Sequence, residues 1–219
     1  MNLTEEIFEI LTHEPGTGVV VMNHDGTVLY ANKESLRLFF SDTTTHDDVH
    51  GKSILEIGFP KAWAEERLAL LRRIELTGEE CLLRTIWDGK QQFSWFRVLS
   101  EAGEPFRVLV VTRRVGAGSE AEHLLESEMA VIQSDVVGLG ELCKLTRREL
   151  EVLALIGRGL TSKEIAGLLH RLIKTVDNHR MSLGTKLQKS NKVELARMAR
   201  EAGLTVDDSE RSRVGKAPA

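Results

Sequence analysis

Lys174, Asp177, Asn178 and Met181 bring an ammonium, a carboxylate, a carboxamide and a thioether together within one short stretch of the chain. Amide and thioether groups on a side free of bulky aromatics suit the edges of bases in a major groove about 12 Å wide. Asp177 has two readings: an acid that favours a helix N-terminus, or an acceptor for a cytosine amino group. Lys163, Arg180, Lys186, Lys189 and Lys192 surround the stretch, and cations of this kind suit phosphates, whose contacts position a protein without reading sequence. His179 is suited equally to a phosphate contact and to packing at a core edge.

Such a set works only if one helix presents it. At about 100° per residue, Val176, Leu183 and Leu187 fall on a single stripe, with His179 and Arg180 on its flanks. Lys174, Asn178, Met181 and Thr185 lie opposite, so the spacing predicts a helix over 174–187 with its apolar edge inward. Three further short helices frame it. Thr146 with Glu149 and Thr161 with Glu164 both form the capping-box pattern, and Gly159 stands where a left-handed helix stop belongs. A fourth helix opens at Asn191 and ends near Gly203. The turn before residue 174 is only a few residues long, the mark of a helix-turn-helix unit.

The segment LTRRELEVLALIGRGLTSKEIAGLL, followed by KTVDNHRMSLGTKL and NKVELARMAREAGL, resembles the LuxR-type (NarL/FixJ-type) DNA-binding domain over residues 145–204. That resemblance implies an all-α four-helix domain in which Asp177, Asn178 and Met181 face bases. It further implies that Lys163, Thr175, His179 and Lys186 lie at or near phosphates; Lys174, Arg180 and Lys192 are added as phosphate contacts from their charge and position. Double-stranded DNA, a homodimer and contact with RNA polymerase are the partners it suggests. One departure stands in the turn, where Arg171 and Leu172 replace a hydrophobic residue and a Ser. Loss of a Ser N-cap costs ~1 kcal/mol.

The net charge of −4 conceals an asymmetry. Residues 1–140 carry 13 basic against 23 acidic side chains, whereas residues 141–204 carry 13 against 7. A basic module of that size is an electrostatic footprint for a polyanion.

The acidic part has a strand rhythm. GVVVMN and TVLYAN flank an Asp25-Gly26 turn, a hairpin signal. Helical segments follow over 33–40 and 60–76, and then strand segments over 80–87, 91–100 and 105–114. Two strands, several helices and a three-strand meander resemble the PAS fold over residues 16–115, with GVVVMNHDGTVLYAN and GKSILEI as its most telling words. The implied fold is an α+β domain with a five-stranded antiparallel sheet and helices, and the implied role is sensing of a small molecule or dimerisation. No cofactor is assigned: no Cys lies in a helical N-C-R block, and no His falls between residues 60 and 76. His46 and His50 read as solvated loop residues, and no metal site is expected. Trp63, Trp87 and Trp95 read as core, with a bound aromatic ligand against Trp95 as the minor alternative.

Residues 1–15 read as an amphipathic helix. Leu125, Met129, Ile132 and Val136 repeat at spacings of 4, 3 and 4, so residues 116–140 read as a helical linker. Residues 205–219 lack apolar periodicity and read as a flexible tail. Cys81 and Cys143 are far apart and read as free thiols. Without a span of ~20 apolar residues or a basic leader, the expectation is a cytoplasmic protein with no membrane partner. Without a nucleophile triad, a phosphate loop or paired metal ligands, no enzyme is expected. The expected function is a DNA-binding transcription regulator; the alternative is a protein-interaction adaptor that does not touch DNA.

Overall fold

The computed structural model describes residues 14–40, 43–100, 103–189 and 191–215. β1 (Thr17–Asn23) and β2 (Val28–Ala31) form the expected hairpin, and α1 (Lys33–Phe39), α2 (His46–Val49) and α3 (Lys61–Thr77) follow. β3 (Cys81–Trp87), β4 (Lys90–Val98) and β5 (Arg107–Arg114) make an antiparallel meander. β5 also pairs with β1 from Thr17↔Arg113 to Asn23↔Arg107, which closes hairpin and meander into one sheet. Asn32 ties the hairpin to its first helix: its Oδ1 accepts from Val19 N at 2.9 Å and from Ser35 N at 2.8 Å. The helices cover one face, where Leu36, Trp63, Leu71 and Ile74 pack on Met22, Leu83, Trp87 and Phe96.

The sheet is not the expected five-stranded antiparallel one. It has seven strands in the order β2-β1-β5-β4-β3-β6-β7, and the two additional strands are parallel to their neighbours. β3 supplies the reason, because all seven of its residues are buried. An edge strand with no exposed residue would leave a row of backbone donors and acceptors without partners. β6 (Ala130–Val137) covers that edge, pairing from Cys81↔Ala130 to Ile86↔Val137.

Residues 116–140 are therefore not a continuous helix. They hold the short helix α4 (Ser119–Leu125), then β6, and a 3-10 turn begins at Gly140. The β-branched run Val131, Ile132, Val136 and Val137 favours a strand. Alternation places Ile132 and Val136 against the helix-covered face and Val131 against the other. The tail expectation also fails for residues 205–215. Asp208 and Ser209 are buried in a 3-10 turn, and β7 (Ser212–Arg213) joins the sheet beside β6. The expected helix over 1–15 falls almost entirely outside the described residues, as do residues 216–219.

α5 (Arg147–Gly157), α6 (Ser162–Leu168), α7 (Ile173–Leu187) and α8 (Lys192–Glu201) form the helical domain. Its core of Leu150, Leu153, Ile165, Val176, Leu183 and Leu195 continues into Ile86 of β3 and Val137 of β6, so the sheet supplies part of that core. Among the described residues no helix is long and apolar enough to cross a membrane.

Candidate nucleic-acid interface

Both capping boxes form. Thr146 accepts from Glu149 N at 3.3 Å while the Glu149 carboxylate accepts from Thr146 N at 2.7 Å. Thr161 and Glu164 repeat the pattern at 3.3 and 2.7 Å. Gly159 closes the connection after α5 at φ +87°, as expected of a left-handed stop. The turn into α7 contains a left-handed residue at His170, φ 51°, where Arg171 N donates to Ala166 O at 2.9 Å. Leu172 then occupies the N-cap without any side-chain hydrogen bond, and only backbone N–H groups of Thr175 and Val176 bond to its carbonyl. The helix starts at Ile173, one residue before the expected Lys174.

The register of α7 agrees with the periodicity. Val176, Leu183 and Leu187 are buried, each contributing about 2 kcal/mol of apolar transfer. Lys174, Asn178, Met181 and Thr185 are exposed, Met181 by 71%. A thioether held that far into water has little packing role within its own domain, so the exposed face is available to a partner.

Asp177 is placed differently from its two neighbours. It is half-buried, and Ser162 Oγ at the start of α6 donates to its Oδ1 at 2.8 Å. Ser182 turns inward and donates to Glu149 Oε1 at 2.6 Å, and Lys186 Nζ donates to Glu149 Oε2 at 2.7 Å. Burial raises the Glu149 carboxyl, but Lys186, Ser182 and Thr146 outweigh it and hold its pKa at about 2. Glu149 thus fastens α7 to α5. The capping-box pattern announces this residue, and its second role went unread because Ser182 and Lys186 lie 33 and 37 positions away.

The cations fall into two groups. Lys186 is engaged by Glu149, and Lys192 donates to Leu160 O at 3.0 Å, which pins α8 to the turn after α5. Lys163, Lys174 and Arg180 are exposed and make no ion pair or hydrogen bond among the described residues. Thr175 is half-buried, and His179 lines a small cleft with Arg148, Leu169 and Val176. Exposed Arg171 lies beside this group in the turn and is a cation that the sequence reading did not assign to phosphate.

The N-terminal domain holds a cavity of about 60 Å³ between its helices and the sheet. Val20, Met22, Leu36, Phe40, Phe59 and Trp63 line it, with Arg67, Ser94 and Thr112 as its main polar groups. Phe59 stacks on Trp63 at 4.0 Å, and the Arg67 guanidinium lies 4.4 Å from the Trp63 ring centroid. The cavity is less than half the ~150 Å³ that accommodates benzene in an apolar core, so a ligand of that size has to displace side chains. Trp95 packs on the opposite face with Leu82 and Phe93, which leaves Trp63 as the cavity tryptophan.

Residues 143–199 match the family model of the bacterial regulatory proteins of the luxR family. The C-terminal domain is thus a LuxR-type helix-turn-helix domain. The chain is 39% identical over 109 residues to the transcriptional activator protein ExaE of Pseudomonas putida, covering 48% of this chain and 51% of that one. It is also 39% identical over 87 residues to the transcriptional regulatory protein LiaR of Bacillus subtilis, covering 37% and 41%. The chain spans about half the length of the curated relatives it matches, or less. Over 95% of this chain and 92% of the other, the fold is similar to Vibrio cholerae VqmA in a ligand and DNA complex, with a TM-score of 0.54 and 22% identity. A mixed α+β domain followed by a helical domain is therefore a fold shared with a solved structure.

Proposed function

We propose that the chain is a sequence-specific, DNA-binding transcription regulator in which the PAS-like domain receives a signal. The observation that carries this reading is the outward face of α7, where Asn178 and Met181 stand in water on a basic helix-turn-helix domain. In this reading Asp177, Asn178 and Met181 meet base edges. Lys163, Lys174 and Arg180 meet phosphates together with Thr175 and His179, while Lys186 and Lys192 chiefly hold the helix in place. Two copies bind two half-sites about one helical turn, ~10 bp, apart. A small molecule entering the cavity around Trp63 is the proposed signal, and RNA polymerase is a proposed partner on DNA.

Selection from random duplexes with the purified chain tests this reading. The expected result is an enriched motif whose affinity falls steeply with salt, with a slope of about −0.9 per phosphate neutralised. Asn178→Ala and Met181→Ala relax base preference, whereas Lys163→Ala weakens binding to all duplexes alike. Failure to enrich any motif in dilute buffer refutes it. The adaptor reading is favoured by one observation, the exposure of Leu168, Leu172 and Ile173 around the turn, and it predicts no salt-dependent duplex binding.

A further inference from the structure

The helical domain is not attached to the sheet by a single tether. Its chain leaves the sheet at the end of β6 and returns as β7, which pairs in parallel with β6 at Val136↔Ser212 and Val137↔Arg213. Just before that return, residues 205–211 lie across Arg84 of β3. The Arg84 Nε donates to Gln91 Oε1 at 2.6 Å, and Nη1 donates to Gln133 Oε1 at 3.1 Å and Asp208 Oδ1 at 3.0 Å. Nη2 donates to Asp208 Oδ2 at 2.9 Å and to the Gly203 carbonyl, at the end of α8, at 2.7 Å. All five guanidinium donors are thereby matched in a fork geometry that no Lys can reproduce.

Asp208 is held equally firmly. Thr205 N and Thr205 Oγ1 each donate to it at 2.8 Å, and Arg211 Nε approaches at 3.1 Å. Further along, Arg213 Nη1 donates to the carbonyls of Leu145 and Cys143 at 2.7 and 3.2 Å. At the centre of the contact Gly203 takes a φ of +53°, and a Cβ there would lie 2.3 Å from Gln91. None of these contacts involves the outward face of α7, which stays exposed while the two domains are held together.

We propose that this strap, centred on Arg84 and Asp208, is a specificity device that sets the spacing of DNA half-sites. The inference rests on the reading of the chain as a dimeric DNA binder. A reading helix locked to its sensor domain is offered by a sensor dimer at one separation and one orientation. A helix on a loose tether reaches many separations, and its effective concentration at the second half-site varies only slowly with distance. Arg84 and Asp208 are positioning residues in this scheme, because they act through the placement of α7 and touch no base.

The test uses the full chain and a selected duplex into which five base pairs, half a helical turn, are inserted between half-sites. The unaltered chain is expected to lose on the order of tenfold or more in affinity, since the insertion turns one half-site to the opposite face. Asp208→Asn is expected to keep single half-site affinity within about twofold while the insertion loss shrinks below about threefold, as for a flexible link. Arg84→Lys, which keeps the charge and loses the fork, falls between. An Asp208→Asn chain that discriminates spacing as sharply as the unaltered one overturns the proposal. Where Asp208→Asn does not fold, Arg213→Ala is read in the same assay, because the Arg213 side chain is exposed and, among the described residues, bonds two carbonyls alone.

A distance measurement separates this proposal from the DNA-binding reading beneath it. Spin labels at Leu76→Cys and Arg197→Cys, both exposed and in a Cys143→Ser background, report how the two domains of one chain are held without any DNA. One narrow distance that broadens in Asp208→Asn supports the strap, and a broad distribution in the unaltered chain overturns it. Absence of duplex binding together with a narrow distance refutes the proposed function and, with it, the spacing role.

Discussion

Glu149 and Asp208 are both carboxylates withdrawn from water, at 4% and 0% side-chain exposure, and each faces a cation. Their partners sit at different ranges. Glu149 binds Ser182 and Lys186 inside one helical domain, whereas Asp208 binds Arg84 across 124 positions and between domains. The cations differ too, because the Lys186 side chain is 34% exposed and that of Arg84 only 3%. A cation that keeps part of its hydration is removable at modest cost. One that is fully withdrawn leaves an unpaired buried charge when its partner is lost. Burial raises the Asp208 carboxyl, and the bonds from Arg84 and Thr205 more than reverse this, so that it stays below the usual carboxylate range. The inner pair fixes where α7 lies on α5, and the outer pair fixes where the helical domain lies on the sheet.

Removing the outer pair has the largest expected effect on stability. Asp208→Asn leaves Arg84 buried without its counter-charge and is expected to cost about 3–5 kcal/mol, measured by urea unfolding of the full chain. Glu149→Gln comes next. With a folded pKa of about 2 against an ordinary 4.5, the ionised carboxylate contributes on the order of 3 kcal/mol near neutral pH. Because the folded pKa is depressed, that contribution is complete above about pH 4.5 and is lost as pH falls toward 2. An acid titration of helical-domain stability that is flat across this window in the unaltered chain contradicts the clamp. Lys186→Met removes one of several bonds to Glu149 and is expected to cost about 2 kcal/mol, seen as a lower urea midpoint with unchanged slope. The smallest effect is a gain: Leu172→Ser supplies the missing N-cap and is expected to add about 1 kcal/mol, read as a higher melting temperature. A double variant at Glu149 and Asp208 whose losses do not add would show that the two clamps are coupled rather than separate.

The same contrast explains what could be read from residues alone. The capping boxes at Thr146 and Thr161, the buried stripe of α7 and the Asp25-Gly26 turn were legible because each depends on neighbours a few positions away. β6 was misread for a definite reason. Ile132 and Val136, four apart, share a face in a strand as well as in a helix, and spacing alone does not separate the two. What decides the matter is the fully buried β3, whose open edge must be covered. The tail carried a similar ambiguity. Thr205 with Asp208 is a local pattern, yet D-D-S-E reads as solvated unless one knows that Arg84 lies beneath it. Lys186 and Lys192 ring α7 at positions suited to phosphates, and the LuxR-type resemblance points to Lys186 as well. Their internal partners, Glu149 and the Leu160 carbonyl, lie 37 and 32 positions away.

Because β6 and β7 are neighbours in the sheet, the four helices form an excursion that starts and finishes on the same platform. A protease cut in the exposed turn at His170 and Arg171 would sever the backbone without freeing either piece. The nicked molecule is expected to run as two fragments under denaturing electrophoresis and to elute as a single particle in plain buffer.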